Sequence, residues 1–303
     1  MREINEVHSA HPRLEERYFQ RMAGSMGDKI KLFEFLPAFT EGAPAPRILD
    51  IGAGGGEFAN KLSELGYDVT AIDASDDAVM RIREKFPHIT TATLLANHVD
   101  SLGDETFDVV ICSSILHEVF SYGDDYRSKG HYSSLNRAFK AFHKVLKTDG
   151  TFLIRDGVLP TNWEDEGTIE LQEGHEVSSV FKYLEMCPFA NGGVHTNLGH
   201  LVNLEQVGEK TFKGNVRSLL EFSYTYTWGL DSYPRETQEL YAVKTLEEYV
   251  ELLEEEGFTV VHTESYLQPG YPKHLANTIR LQVGDKTDEW FDSNAIWVAI
   301  KNN

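Results

Sequence analysis

Apolar and polar residues follow two rhythms along this chain, and the switches between them lay out its elements. Between Pro12 and Phe39 apolar positions recur at three- and four-residue steps: Leu14, Tyr18 and Met22, then Ile30, Phe33 and Leu36. That spacing predicts helices, interrupted near Gly24–Gly27. Gly42-Ala43-Pro44-Ala45-Pro46 reads as a linker. Short apolar runs then predict strands at Arg47–Ile51, Asp68–Ile72, Ile89–Leu95, Phe107–Cys112 and Thr151–Ile154. Amphipathic stretches predict helices at Glu57–Leu65, Asp76–Phe86 and Leu135–Leu146, ended by Gly66, Pro87 and Thr148-Asp149-Gly150. Such alternation implies right-handed crossovers and a mostly parallel sheet covered on both faces, so the fold class is α/β.

The alternation stops at Gly157. It resumes with a helix at Leu246–Glu256 and strands at Phe258–His262 and Ala295–Ile300. The stretch between, Val158–Tyr241, is rich in aromatics and histidine. Within it Tyr224-Thr225-Tyr226-Thr227-Trp228 alternates as a strand would, with Tyr224, Tyr226 and Trp228 on one face. That face reads either as an aromatic wall for a planar or cationic acceptor or as an ordinary half-buried strand.

Charge narrows the partners. Twenty-eight basic against 48 acidic residues give a formal charge of −20 over 303 residues. Nucleic-acid binding is driven by Lys and Arg displacing counterions, so this chain starts at a disadvantage on DNA or RNA. Arg127, Lys129, His131, Arg137, Lys140, His143, Lys144 and Lys147 form one basic segment, read as a solvated helix face or as a landing site for RNA. Two cysteines, Cys112 and Cys187, make neither a disulfide framework nor a paired-Cys zinc pattern. His175, Cys187, His195 and His200 have spacings that match no standard metal site, and no metal is expected. Neither a signal segment nor an apolar run of about 18 residues is visible, so a cytoplasmic setting without membrane contact is expected.

The chemistry concentrates at Ile48-Leu49-Asp50-Ile51-Gly52-Ala53-Gly54-Gly55-Gly56-Glu57-Phe58, where a buried strand enters a glycine-rich turn and a helix begins. Such a turn lies at the carboxyl end of the sheet, where α/β proteins bind ligands. A dinucleotide fingerprint needs glycine at relative positions 1, 3 and 6. Here those are Gly52, Gly54 and Glu57, and a carboxylate there would repel a pyrophosphate, which argues against a nicotinamide dehydrogenase.

The pattern resembles motif I of the class I S-adenosylmethionine (SAM)-dependent methyltransferases. Val69–Ser75 resembles the family's second strand ending in an acid, and Phe107–Glu118 its fourth-strand motif. Val145–Ile154 is similar to its turn into the fifth strand, and Leu252–Val260 to its late helix-to-strand junction. The resemblance implies a doubly wound, mostly parallel, seven-stranded sheet. It divides the chain into an N-terminal helical cap (1–46), a SAM-binding core (47–157 and 241–303) and an inserted substrate lid (158–240). It further implies that Asp50 and the turn Gly52, Ala53, Gly54 and Gly56 hold the methionine end of SAM. Asp73 and Ala74 would meet the ribose, with helix capping the alternative for Asp73, although Ser75 is the more natural cap. Asn97, His98 or Asp100 would meet the adenine, and Ser113 and Ser114 would flank the sulfonium.

Cys112-Ser113-Ser114-Ile115 stands where amino-group DNA methyltransferases of this fold carry an Asn/Asp-Pro-Pro-aromatic run, and no Pro-Cys nucleophile exists. Cys112 therefore reads as a buried core thiol. A general base helps when the acceptor is a hydroxyl or an ammonium. His117 and Glu118 after the fourth strand and Asp156 after the fifth are the candidates; His117 also reads as packing beside the cofactor, and Arg155-Asp156 as a structural ion pair. The expected function is methyl transfer from SAM to an oxygen or nitrogen of a small-molecule or peptide-like acceptor. An RNA methyltransferase and a non-catalytic protein binding SAM or S-adenosylhomocysteine are the alternatives.

Overall fold

The computed structural model describes residues 26–40, 45–123, 129–190 and 201–303. The helix expected through Leu14, Tyr18 and Met22, and Arg127, His195 and His200, lie outside them. Helix α1 (Met26–Lys29) leads through a 3₁₀ turn into α2 (Leu36–Thr40). The alternating core follows as β1 (Arg47–Ile51), α3 (Glu57–Glu64), β2 (Asp68–Asp73), α4 (Asp76–Lys85) and β3 (Thr90–Thr93). After a 3₁₀ segment at Ala96–Leu102 come β4 (Phe107–Ser113), α5 (Leu116–Tyr122), α6 (Tyr132–Val145) and β5 (Leu146–Gly157). The middle of the chain forms β6 (Glu166–Leu171), α7 (Ser178–Met186), β7 (Glu205–Gln206), β8 (Thr211–Asn215), α8 (Val216–Thr227) and α9 (Tyr233–Glu236). The last part is α10 (Leu246–Glu255), β9 (Phe258–Tyr266), α11 (Tyr271–Thr278), β10 (Ile279–Val283), β11 (Lys286–Thr287) and β12 (Asn294–Lys301).

Seven strands form the main sheet in the order β3-β2-β1-β4-β5-β12-β9. The first five are parallel, and β12 runs antiparallel to both β5 and β9. Chain order reverses between β1 and β4, which opens a crevice at their carboxyl ends. Helices on both faces explain why β4 is an unbroken apolar run. Val109 and Ile111 pack into one cluster and Val110 and Cys112 into the other, all fully buried. Cys112 is thus a core thiol, and burial pushes its pKa well up.

A second sheet, antiparallel throughout, has the order β11-β10-β6-β8-β7. It takes β10 and β11 from the C-terminal part of the chain. No described helix is long and apolar enough to cross a membrane.

One expected element is corrected. Tyr224–Trp228 is not a strand: Tyr224–Thr227 ends α8, and Trp228 is its C-cap. Asn215 starts that helix by accepting from the Ser218 amide at 2.9 Å. Phe222 and Tyr226, four residues apart, stack at 5.2 Å, while Tyr224 leaves the other side toward Tyr271 at 5.3 Å. Five alternating residues are too few to separate a two-residue from a 3.6-residue period, and the buried apolar stretch preceding them decided for the helix. The one-sided aromatic wall disappears with the strand.

Candidate active site

The glycine turn is tied to its neighbours by backbone bonds. Gly52 and Ala53 both donate to the Ile72 carbonyl at 2.9 Å, lacing the turn to β2. Gly52 has φ +70, and a Cβ there would lie 1.8 Å from the Ile115 side chain, so the residue has to be glycine or Ile115 has to move. Asp73 accepts from the Gly54 amide and from the Ser75 amide, each at 2.9 Å. Ser75, not Asp73, caps α4, through the Ala78 amide. Asp73 is therefore held beside the turn.

Two polar atoms at this crevice are buried with no hydrogen-bond partner among the described residues, Asp50 Oδ2 and Ser113 Oγ. Ser114, at φ +60, accepts from the Arg155 guanidinium at 2.6 Å. Asn97 and His98 lie in the 3₁₀ segment beyond β3, Asn97 half-buried and His98 exposed.

Arg155 and Asp156 do not pair with each other. Successive residues of a strand point to opposite faces, so the two serve different sides of β5. Arg155 bonds Asp28 of α1 and the Tyr266 hydroxyl, which in turn donates to Asp28 at 2.9 Å. This cluster pins α1 over the crevice and brings in Lys29, to which no sequence motif points. Lys29 is 9% exposed and makes no hydrogen bond or ion pair with a described residue. Burial lowers its pKa against the opposing pull of Asp50. Burial likewise pushes Asp50 up to about 7, with Lys29 resisting and Asp73 adding to the rise.

On the other face Asp156 is fully buried at the start of α5. One carboxylate oxygen accepts from the Ile115 and Leu116 amides at 2.8 and 2.7 Å, satisfying donors that a helix start leaves open. The other meets His117 Nδ1 at 2.6 Å and the Gly157 amide at 2.7 Å. Burial alone would raise Asp156, but His117 and these amides hold it below the usual carboxylate range.

His117 Nε2 then faces Glu239 at 3.6 Å, and Tyr122 donates to the second Glu239 oxygen at 2.6 Å. Burial pulls the imidazole pKa down, yet Asp156 and Glu239 outweigh it and leave it well above its ordinary value. Glu118 is half-buried and makes no hydrogen bond or ion pair with a described residue. Burial first, then Glu239, push its carboxyl well up, and Asp73 beside the glycine turn adds to the rise. Tyr241 lies with its ring 5.6 Å from His117 and its hydroxyl on Glu236, which also pairs with Arg235. Glu239 carried no local signal, standing 122 positions from His117 in a stretch without a motif.

Three lysines of the basic segment pair with carboxylates. Lys147 pairs with Asp108 at 2.7 Å, Lys144 with Asp100 and Asp104 at 3.5 Å each, and Lys140 with Glu256 at 3.8 Å.

Residues 49–154 match the family model described as Methyltransferase domain. Residues 49–154 are a methyltransferase domain. An uncharacterized methyltransferase of Synechocystis sp. is 31% identical over 121 residues, covering 40% of this chain and 51% of that protein. The demethylmenaquinone methyltransferase of Chlorobaculum parvum is 30% identical over 123 residues, covering 40% and 45%. The chain spans about half the length of the curated relatives it matches. A solved 1,6-didemethyltoxoflavin-N1-methyltransferase of Burkholderia thailandensis covers 97% of this chain and 91% of its own at 15% identity, with a TM-score of 0.47. Methyltransferase domains of the matched family use SAM as cofactor. The donor set fits: SAM carries two cationic groups and one carboxylate, and the crevice offers the unbonded Asp50 oxygen and the Lys29 ammonium, unpaired among the described residues.

Proposed function

We propose that this chain methylates an oxygen or nitrogen of a small-molecule or peptide-like acceptor that faces His117, Glu118 and Glu239. The observation that carries the reading is the unpaired Glu118 carboxylate beside the buried Asp156–His117–Glu239 chain, within electrostatic reach of Asp73 in the cofactor crevice. SAM, when bound, would supply an electrophilic methyl carbon, its sulfur keeping the carbon–sulfur electron pair. Asp50 and the turn Gly52, Ala53, Gly54 and Gly56 hold its amino-acid end, and Lys29 takes its carboxylate. Asp73 and Ala74 meet the ribose, Asn97 or His98 the adenine, and Ser113 and Ser114 the region of the sulfur.

Asp156 orients His117, and the proton of the acceptor passes to the half-buried Glu118 carboxylate. Residues 158–240 act as a lid that excludes water. Lys140, Lys144 and Lys147 each pair with a carboxylate, which weakens α6 and its exit as a phosphate-binding stripe and favours a small acceptor over RNA. The names of curated relatives, among them a demethylmenaquinone methyltransferase, agree with a small acceptor.

Incubating the full chain with methyl-labelled SAM against metabolite and RNA pools tests this. Label in a small-molecule fraction is expected, and label confined to RNA overturns the acceptor class. Asp73→Ala is expected to weaken SAM binding about 10- to 100-fold by calorimetry, the range of one or two charge-assisted hydrogen bonds. Unchanged affinity would remove Asp73 from the site.

A further inference from the structure

We propose that His117, Glu118 and Glu239 bind one divalent cation of the Mn²⁺-to-Zn²⁺ series beside the methyl-transfer crevice, an inference that rests on the functional reading above. One ligand atom from each of the three lies within 4.8 Å of the other two. His117 Nε2 and Glu239 Oε2 are already 3.6 Å apart, close to the roughly 3–3.5 Å separation of neighbouring ligands on an ion with bonds of about 2.0–2.2 Å. One imidazole nitrogen with two carboxylate oxygens suits cations between the hard and soft extremes.

The bonds around the cluster are arranged as for a metal. Asp156 holds His117 Nδ1 at 2.6 Å, which directs Nε2 into the cluster; a carboxylate on the distal nitrogen is the usual support of a ligating histidine. Tyr122 donates to one oxygen of Glu239, and the other lies 3.6 Å from His117 Nε2. Glu118 has no competing partner among the described residues and is half-buried, so the site has an open side. Three protein ligands leave coordination positions for an acceptor oxygen, whose proton a bound cation makes easier to lose. No motif announces this site, because Glu239 joins His117 and Glu118 only through the fold.

Calorimetric titration of the chelator-treated full chain with MnCl₂ and with ZnCl₂ tests the proposal, with SAM titrated in parallel and the bound Mn²⁺ followed by its electron paramagnetic resonance signal. One equivalent is expected to bind with micromolar affinity, on the order of −8 kcal/mol. Glu118→Gln and Glu239→Gln should each weaken it at least about tenfold while SAM affinity stays within about threefold. Glu118→Gln changes a half-buried, unpaired group, so its fold survives, and a thermal melt confirms this. SAM binding without saturable metal binding would overturn the cation site alone and leave His117 as an imidazolium bridging Asp156 and Glu239. Metal binding that neither substitution alters would also overturn it. Failure to bind SAM would instead overturn the functional reading on which the site rests.

Discussion

Asp156→Ala destabilises the protein by about 3–5 kcal/mol, the cost of removing one partner from a buried charged pair. Asp156 is fully buried and accepts from three backbone amides besides His117. Truncation leaves the Ile115, Leu116 and Gly157 amides without an acceptor in a space from which water is excluded. It also strands an imidazole whose pKa had been raised by the carboxylate. Asp156→Asn keeps an oxygen for the amides and is expected to cost less than half as much. Urea denaturation at unchanged slope measures both. A loss under about 1 kcal/mol for the alanine variant would mean that Asp156 does not organise the start of α5.

Lys29→Met lowers SAM affinity about 10- to 100-fold while leaving the ligand-free protein at least as stable. Lys29 is 9% exposed and lacks an ion pair with any described residue, so the unliganded fold gains little from its charge. Methionine keeps the unbranched apolar stem and removes the desolvated ammonium. A residue serving only the fold would show the opposite split, with stability lost and affinity kept.

The pH dependence follows from its neighbour Asp50. With a native pKa of about 7 against an ordinary 3.8, Asp50 binds its proton more tightly folded than unfolded. Its contribution is complete below the ordinary value and is lost as pH rises through about 7, at about 1.4 kcal/mol for each pH unit between the two values. The Asp50 share of the unliganded protein's stability should therefore fall between about pH 4 and pH 7 and level off above. Lys29→Met removes the opposing cation, raises Asp50 further and carries the fall to higher pH. Urea midpoints at about pH 5, 7 and 8 read both curves, and identical profiles in the two proteins would rule out coupling between Lys29 and Asp50.

Much of this protein is written in short-range patterns. The run Ile48–Ile51, the glycines that follow and the acid closing β2 are each dictated by neighbours within a few residues. Burial on both faces demands unbroken apolar strands, positive φ demands glycine at position 52, and Ser75 caps the helix after Asp73. Local rules failed where two periods overlap, and Tyr224–Trp228 became the end of a helix because tertiary burial of Leu219, Leu220 and Phe222 outweighed five alternating residues.

By itself, then, the sequence determined the parallel core, its glycine turn and the carboxylates beside it, since hydrophobic periodicity and backbone geometry act between adjacent residues. Only the tertiary structure decided that Asp28 pairs with Arg155 to place Lys29, and that Asp156 turns His117 toward Glu239. These groups are exposed polar residues as far as any local pattern can tell. What gives them chemistry is burial against partners far away in the chain, and the loss of water there turns ordinary charges into a site.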